Sequence, residues 1–311
     1  MEVEALKNCQ KEIAPYIHRT PILTSETINR MLGADVYFKC ENFQKGGAYK
    51  IRGATNAVLQ LSDAQKERGV VTHSSGNFAQ ALSLAAQSLG SKAFIVMPST
   101  APQVKKDAVA EYGGEIIECE PNLRAREAAA QSIELDTGAT FIHPSNDQNV
   151  IIGQGTAALE MLEELPDLEF IIAPVGGGGL IAGTSLAVHY FGKGCKVVGA
   201  EPYEVDDAYR SLLSGKIETN ETVNTIADGL MTQLGDQSFP IIQQYVDSII
   251  RVTENDIITA MRLIWERMKI IVEPSSAVAL AAVLSDKERF AGKKVGIIIS
   301  GGNVDLKKLP F

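Results

Sequence analysis

From about residue 70 onward, short apolar runs alternate with segments of helical periodicity, and this alternation constrains the fold more than any other feature. A strand, a helix and a second strand form the repeating unit of a parallel sheet. With 311 residues, the chain is long enough for two α/β units with buried cores. We predict strands at Val70–His73, Ala93–Met97, Glu115–Cys119, Thr140–His143, Phe170–Val175, Lys196–Ala200, Ser248–Val252 and Lys294–Ile299.

Local signals mark the helices between these strands. Residues 254–269 are predicted to form a helix that Thr253 caps, with Asp256 at the third position and one apolar stripe facing the core. Pro102 suits the start of a helix ahead of Lys105–Tyr112, and the glycine pair at 113 and 114 suits its left-handed end.

Composition excludes several classes of protein. The 29 basic and 38 acidic residues give a net charge of −9, and basic residues occur at most in pairs, so nucleic acid is not an expected partner. No apolar stretch approaches the roughly 20 residues of a membrane span. The acidic start of the sequence is unlike a basic export signal, so we expect a cytoplasmic protein. The cysteines form neither CxxC pairs nor a zinc spacing, and they are expected to be reduced and buried: Cys9, Cys40, Cys119 and Cys195.

Four consecutive glycines, Gly176–Gly179, follow the apolar run that begins at Phe170 and precede a predicted helix from about Leu180. Residues without Cβ let backbone N–H groups converge on an anion at a helix N-terminus, where the helix dipole also favours negative charge. A phosphate site is therefore predicted. The run matches neither a Walker A motif nor a dinucleotide fingerprint, and the alternative is a tight turn.

Lys50 follows a Gly-Gly-Ala-Tyr stretch and precedes an apolar helical segment. A lysine that is shielded from water has a lowered pKa and can form a Schiff base with an aldehyde cofactor. Most lysines are solvated surface groups, and Tyr49 beside it can equally be a packing residue, so this signal is weak when taken alone.

Two clusters of hydroxyl and amide side chains follow predicted strands. Ser74, Ser75 and Asn77 come after the strand that begins at Val70, at the edge where open α/β sheets bind ligands. The alternative is that Ser75 or Asn77 simply caps the next helix. Ser300 ends the last predicted strand, where it can be a turn residue or a donor to a ring nitrogen.

Taken in order, the stretches ending in Tyr49-Lys50, Ser74-Ser-Gly-Asn77, Gly176–Gly179 and Ser300-Gly-Gly-Asn-Val-Asp305 closely resemble the pyridoxal-phosphate enzymes of the serine racemase and serine/threonine dehydratase family. The resemblance covers almost the whole chain. Further matching segments are His18-Arg-Thr-Pro21, Glu41-Asn-Phe-Gln44, Gly153-Gln-Gly-Thr156, Thr225-Ile-Ala-Asp-Gly229, Trp265-Glu-Arg-Met-Lys269 and Glu273-Pro-Ser275.

The resemblance implies an α/β protein of fold type II, like the tryptophan synthase β subunit, with two domains whose mostly parallel sheets are flanked by helices. The large cofactor-binding domain would comprise residues 1–68 and 147–311. Residues 69–146 would form a small mobile domain that closes over the substrate. A homodimer is the family expectation.

The resemblance also implies roles for single residues. Lys50 would hold pyridoxal phosphate covalently and act as base on the si face of the substrate, and Ser75 would act as acid and base on the opposite face. The cofactor would further contact Tyr49, Asn77, Ser300, Gly176, Gly177, Gly178 and Gly179. The substrate would contact Ser74, Ser75, Asn77 and Arg126.

The reaction implied is racemisation of serine, because inverting Cα needs proton-transfer groups on both faces, and Lys50 with Ser75 supplies two. Because the two reactions share one carbanion, elimination of serine to pyruvate and ammonia is expected as a second activity. The alternatives are an L-serine/L-threonine dehydratase, which needs only the lysine, and an aspartate racemase. A catalytically silent protein that binds another phosphate ligand is a further alternative.

A divalent-cation site of the family matches the carboxylates of Glu201 and Asp207 and the carbonyl of Val205. These hard oxygen ligands suit Mg²⁺, with Ca²⁺ or Mn²⁺ as alternatives; without the resemblance, the segment reads equally as a surface acidic loop. Two positions bear on the substrate. Phe78 stands where the family usually has histidine. Arg126 matches an arginine near the substrate entrance of some family members, and the resemblance implies that it could bind a second carboxylate; the alternative is a solvated helix residue.

Overall fold

The computed structural model describes residues 3–311. Its strands are Ile22–Thr24 (β1), Asp35–Cys40 (β2), Val70–His73 (β3), Ala93–Pro98 (β4), Gly114–Cys119 (β5), Thr140–Phe141 (β6), Phe170–Pro174 (β7), Lys196–Pro202 (β8), Ser248–Val252 (β9) and Lys294–Ile299 (β10). Its α-helices are Val3–Ile13 (α1), Glu26–Leu32 (α2), Lys50–Leu59 (α3), Asp63–Arg68 (α4), Asn77–Ser88 (α5), Gln103–Glu111 (α6), Leu123–Thr137 (α7), Gln148–Glu164 (α8), Gly179–Phe191 (α9), Asp207–Ser214 (α10), Phe239–Tyr245 (α11), Glu254–Met268 (α12), Pro274–Ser285 (α13) and Lys287–Phe290 (α14).

The strands form two sheets. One has six strands in the order β1-β2-β10-β7-β8-β9, and every neighbouring pair is parallel except β1 with β2. The other has four parallel strands in the order β5-β4-β3-β6. The predicted fold class, an α/β protein with two mostly parallel sheets flanked by helices, is confirmed.

Apolar residues on both faces of the six-stranded sheet explain its flanking helices. On β10, Ile297 packs in a core with α12 and α13, while its neighbour Ile298 packs in a second core with α8 and α9. Successive side chains of a strand point to opposite faces, so a continuous apolar run requires helices on both sides. A third core packs α1, α3 and α5 with strands β3 and β4 of the four-stranded sheet.

The four-stranded sheet and its helices α5, α6 and α7 lie within residues 70–141. The division of the chain at residues 69 and 146, and the mobility of the smaller part, stay predictions. Among residues 3–311, no helix is both long enough and apolar enough to cross a bilayer.

Candidate active site

The glycine loop, Gly176–Gly179, connects β7 to α9 and is held tightly by its neighbours. Gly178 has φ +84°, a left-handed conformation that favours glycine. A Cβ on Gly177 would lie 2.2 Å from Ser145 Oγ, and one on Gly179 would lie 2.8 Å from the Ser145 carbonyl oxygen. Packing as well as conformation therefore excludes side chains from the loop.

The same loop offers unpaired donors. Gly176, Gly177 and Gly178 are buried, yet their amides donate no hydrogen bond to any other residue of the described chain. Buried N–H groups normally have partners. Three of them beside the N-terminus of the 13-residue helix α9 form a site suited to a phosphate group.

Lys50 is the first residue of α3, and its Nζ donates to the carbonyl oxygen of Pro144 at 2.9 Å. Nζ also lies 5.1 Å from the centre of the Tyr49 ring and 5.7 Å from that of Phe78. Burial lowers the pKa of Lys50 from its ordinary value of 10.5 to about 8, although nearby Glu273 acts in the opposite direction. A substantial fraction of this amine is therefore neutral near physiological pH, as a nucleophile or base requires.

Main-chain contacts between the segments that contain Lys50 and Ser300 bring these two residues close together. The Tyr49 amide donates to the Ser300 carbonyl at 3.0 Å, and Ala48 forms an isolated antiparallel bridge with Gly301. Ser300 directly follows β10 and is 3 % exposed. Its Oγ lies 3.0 Å from that of Ser276, the third residue of α13, which itself contacts both the amide and the carbonyl of Gly301.

Asn77 reaches the same site from α5. Its Nδ2 donates to both carboxylate oxygens of Glu273, at 3.0 and 3.1 Å, and its Oδ1 accepts from Asn303 Nδ2 at 3.0 Å. The capping alternative is wrong, because Gly76 is the N-cap of α5 and no side chain caps that helix.

The two serines before α5 differ in their bonding. Ser74 Oγ accepts from the Gly76 amide at 3.4 Å. Ser75 is half-buried, and its hydroxyl has no hydrogen-bond partner in residues 3–311. The loop thus presents a hydroxyl group that is not used to stabilise the protein itself.

Phe78 belongs to the core rather than to a polar surface. It is 2 % exposed and packs in the cluster that joins α3 and α5, with its ring near the Lys50 amine. An apolar ring here excludes water from Lys50, which fits the lowered pKa of the lysine.

Arg126 lies on α7, is half-buried, and forms no ion pair with any carboxylate of the described residues. Together with burial, its charge lowers the pKa of His73. The His73 ring makes an edge contact with that of His143, with 5.9 Å between centroids. The structure brings Arg126 into no hydrogen bond with Lys50, Ser75 or Asn77.

His143 organises the segment that contacts Lys50. Its Nδ1 accepts from the amides of Ser145 and Asn146 at 3.2 and 2.8 Å. Burial, aided by the charges of His73 and Lys50, lowers the pKa of His143 to about 4. The imidazole is therefore neutral at pH 7 and holds the turn that contains the Pro144 carbonyl.

Glu201, in β8, and Asp207, at the start of α10, are fully buried. The Glu201 carboxylate accepts from the amides of Ala208 and Tyr209, and Asp207 accepts from the amide of Leu234 and from Asn220. Burial raises the pKa of both groups, that of Asp207 to about 6. No lysine or arginine in the described part of the chain forms an ion pair with either, so the donor set suits a divalent cation. It holds two carboxylates, and residues 3–311 contain no cluster of three or more histidine, cysteine or acidic side chains.

The sequence alone does not indicate that Glu273, Pro144 and His143 lie at this site. Glu273 stands out only as part of a segment that matches the family, and the carbonyl of Pro144 has no side-chain signature. A histidine followed by proline two residues after the end of β6, at the ligand-binding edge of a parallel sheet, is the signal that could have indicated His143.

Comparison with known proteins decides the family. The model of the pyridoxal-phosphate dependent enzyme family matches residues 13–301. The chain belongs to the pyridoxal-phosphate dependent enzymes. This family member is 50 % identical over 308 residues to a serine racemase of Dictyostelium discoideum, with 98 % of this chain and 95 % of the relative covered. It is 49 % identical over 308 residues to a β-hydroxyaspartate dehydratase of Paracoccus denitrificans, with 99 % and 98 % covered.

Comparison with solved structures supports the same family. The pyridoxal-phosphate enzyme described here superimposes on maize serine racemase with a TM-score of 0.96 and 45 % identity, covering 98 % of this chain and 94 % of the maize chain. Fold type II is therefore confirmed. The unpaired amides of the glycine loop fit the phosphate of pyridoxal phosphate, and the buried amine of Lys50 fits its aldehyde.

Proposed function

We propose that this protein is a pyridoxal-phosphate-dependent serine racemase that interconverts L- and D-serine and also eliminates serine to pyruvate and ammonia. The observation that supports this proposal is the presence of both a buried lysine and a hydroxyl group that is free of hydrogen bonds to the protein. Lys50 has a lowered pKa and contacts only a backbone carbonyl by hydrogen bond, while Ser75 has no partner among residues 3–311. Both groups are thus available for proton transfer.

The residues that would hold the cofactor are those of the glycine loop for the phosphate, Lys50 for the aldehyde carbon, Asn77 for the phenolic oxygen, Tyr49 against the ring and Ser300 for the ring nitrogen. Pyridoxal phosphate, when bound, withdraws electrons from Cα of an amino acid and so makes its hydrogen acidic. The neutral hydroxyl of Ser300 would leave the ring nitrogen largely unprotonated, which favours proton exchange and elimination over transamination.

Lys50, in its neutral form, would remove the proton from Cα of one enantiomer. Ser75 would deliver a proton to the opposite face, and the roles would exchange for the other enantiomer. Ser74 and the backbone amide of Asn77 would bind the substrate carboxylate at the N-terminus of α5, where the helix dipole favours an anion. Loss of the β-hydroxyl before Ser75 delivers its proton gives elimination in place of racemisation.

The test is a chiral assay of L-serine with pyridoxal phosphate and Mg²⁺ that follows D-serine and pyruvate together. In Ser75→Ala, we expect D-serine formation to fall at least 100-fold while pyruvate formation persists. Ser132→Ala, on the exposed surface of α7, is the matched control and should behave as the wild type. Pyruvate without D-serine from the wild type would indicate a dehydratase and contradict the proposal.

A second candidate function is dehydration of 3-hydroxyaspartate. The observation that favours it is the half-buried guanidinium of Arg126, which has no carboxylate partner in the described residues and could bind the second carboxylate of such a substrate. The Paracoccus relative bears the name of this activity. If kcat/KM for 3-hydroxyaspartate exceeds that for serine, and Arg126→Ala lowers only the former, this function replaces the first.

We further propose that Glu201, Asp207 and the Val205 carbonyl bind Mg²⁺, or Ca²⁺ or Mn²⁺ in its place. The two buried carboxylates without a cationic partner in residues 3–311 support this site. We also propose a homodimer and a mobile domain at residues 69–146, both of which the family resemblance implies, and a cytoplasmic location. Light scattering after gel filtration tests the dimer, and hydrogen exchange with and without serine tests the mobility.

A further inference from the structure

Glu273 occupies an unusual position for a buried acid. It is the N-cap residue of α13 and is 4 % exposed, but its side chain makes no capping hydrogen bond to that helix. Instead the carboxylate faces Asn77, whose Nδ2 lies at 3.0 and 3.1 Å from the two oxygens. The nearly equal distances place the nitrogen between both oxygens, so that a single N–H can be shared by them.

The orientation of the Asn77 amide is determined by a chain of hydrogen bonds in which each donor and each acceptor is fixed. Asn303 Nδ2 donates to the Gly46 carbonyl at 2.8 Å, so that this atom must be a nitrogen and not an oxygen. The same Nδ2 lies 3.0 Å from Asn77 Oδ1, which must therefore be an acceptor. The nitrogen of Asn77 is thereby turned toward Glu273, and its second N–H remains free.

We propose that Glu273 is a positioning residue: as a carboxylate, it holds the Asn77 amide with one N–H directed to the bound cofactor's phenolic oxygen. This inference rests on the proposed function in two respects: pyridoxal phosphate is the ligand, and Asn77 meets its phenolic oxygen. The contacts also join parts of the two sheets, since Asn77 follows β3, Asn303 follows β10, and Glu273 precedes α13, which packs on the six-stranded sheet.

The groups that face Glu273 allow it to change charge near neutral pH. Burial raises its pKa to about 7, the hydrogen bond from Asn77 lowers it, Asp228 raises it, and Lys105 and the Asn303 amide lower it. Lys105 and Asp228 form an ion pair with each other at 2.8 Å, so their effects on the pKa of Glu273 largely oppose each other. Lys50 and the phenol of Tyr49 are further titratable groups beside it. Below pH 7 a protonated carboxyl would present one acceptor fewer to Asn77.

The experiment measures the dissociation constant of pyridoxal phosphate by absorbance titration of the full-length apoprotein between pH 6 and pH 8.5. In the wild type, affinity should weaken as pH falls through about 7. In Glu273→Gln, the new NH₂ group faces the Asn77 nitrogen, so that two hydrogen-bond donors meet. We expect at least 10-fold weaker binding of pyridoxal phosphate and no change in affinity near pH 7. Glu266→Gln, exposed on α12, is the matched control and should bind as the wild type.

Asn303→Ala provides an independent test, because it removes the donor that orients Asn77 but leaves Glu273 in place. We expect weaker cofactor binding that keeps the pH transition. Thermal unfolding of the apoproteins shows whether each variant is folded, and if Glu273→Gln is not, Asn303→Ala decides the outcome. Wild-type affinity and pH dependence in the folded variants would overturn the inference. Because the readout is cofactor binding, a failure of the racemase assay leaves this result unaffected.

Discussion

Arg52 Nη1 donates to Glu160 Oε1 at 2.8 Å, and neither side chain is more than 4 % exposed. Arg52 also pairs with Glu41 at 2.7 Å, and Glu160 with Lys39 at 2.6 Å. Two cations and two carboxylates are thus buried together. They join β2 and α8 to α3, the helix that begins with Lys50, and so fix the position of the Lys50 amine.

Replacing Glu160 with glutamine should leave positive charge buried without compensation. We expect Glu160→Gln to lower the free energy of unfolding by about 3–5 kcal/mol. Glu163→Gln is the matched control on the same helix, because its pair with Arg19 is 43 and 50 % exposed and should contribute less than about 1 kcal/mol. Urea denaturation measures both. Similar decreases in the free energy of unfolding of the two variants would show that the buried ion pairs contribute no more to stability than the exposed pair.

The lowered pKa of Lys50 predicts unusual reactivity. Because its folded pKa is about 8, below the ordinary 10.5, the neutral amine is the majority form above pH 8, and the charged form is restored as pH falls. Competitive acetylation of the apoprotein, read by mass spectrometry, should therefore give a midpoint near pH 8 for Lys50. Exposed Lys193 serves as the internal reference. A Lys50 midpoint above pH 10 would show that burial does not lower its pKa.

Much of the fold could be predicted because local and tertiary signals agree. The strands at Val70–His73, Ser248–Val252 and Lys294–Ile299 have the predicted bounds, and the Thr253 and Asp256 capping box is present. Strands β1 and β2 were missed. At β2, the short run Val36–Phe38 lies between the charged residues Asp35 and Lys39 without a flanking helix–strand pattern. Its place beside β10 depends on pairing with a distant part of the chain.

The candidate site likewise contains some residues that the sequence indicates and others that only tertiary packing brings together. Lys50 and Gly176–Gly179 carry signals in their residue types and neighbours, and both could be singled out from the sequence. The partners of Lys50 could not, because the Pro144 carbonyl is a backbone atom that only tertiary packing brings within 2.9 Å. Glu273 was missed for a similar reason, since the burial that raises its pKa and the approach of Asn77 arise from the packing of separate helices.

Gly177→Ala tests the glycine loop. A Cβ at this position would lie 2.2 Å from Ser145 Oγ, so Ser145 or the loop must move. We expect a loss of about 1–3 kcal/mol in stability from overpacking and at least 10-fold weaker binding of pyridoxal phosphate. Gly76→Ala, where a Cβ meets nothing within 4 Å and φ is −119°, is the stability control. Unchanged cofactor affinity in Gly177→Ala would exclude the loop as the phosphate site.

The proposed cation site lies against the same loop. The Leu234 amide donates to Asp207 Oδ2 at 2.9 Å, and a Cβ on Gly178 would lie 2.8 Å from Leu234 Cδ2. A cation that fixes Asp207 should therefore also fix the segment that packs against the phosphate site.

Adding Mg²⁺ to chelator-treated protein is expected to raise its thermal midpoint, because a cation would neutralise two buried carboxylates that have no cationic partner in residues 3–311. At a concentration 100 times the dissociation constant, the gain in stability is about 2.7 kcal/mol. Glu201→Gln should remove the response while Glu204→Gln, on the surface nearby, keeps it. Through Leu234, the cation should also tighten binding of pyridoxal phosphate in the wild type but not in Glu201→Gln. An equal rise in midpoint for all three proteins would indicate a nonspecific salt effect and contradict a cation site at Glu201.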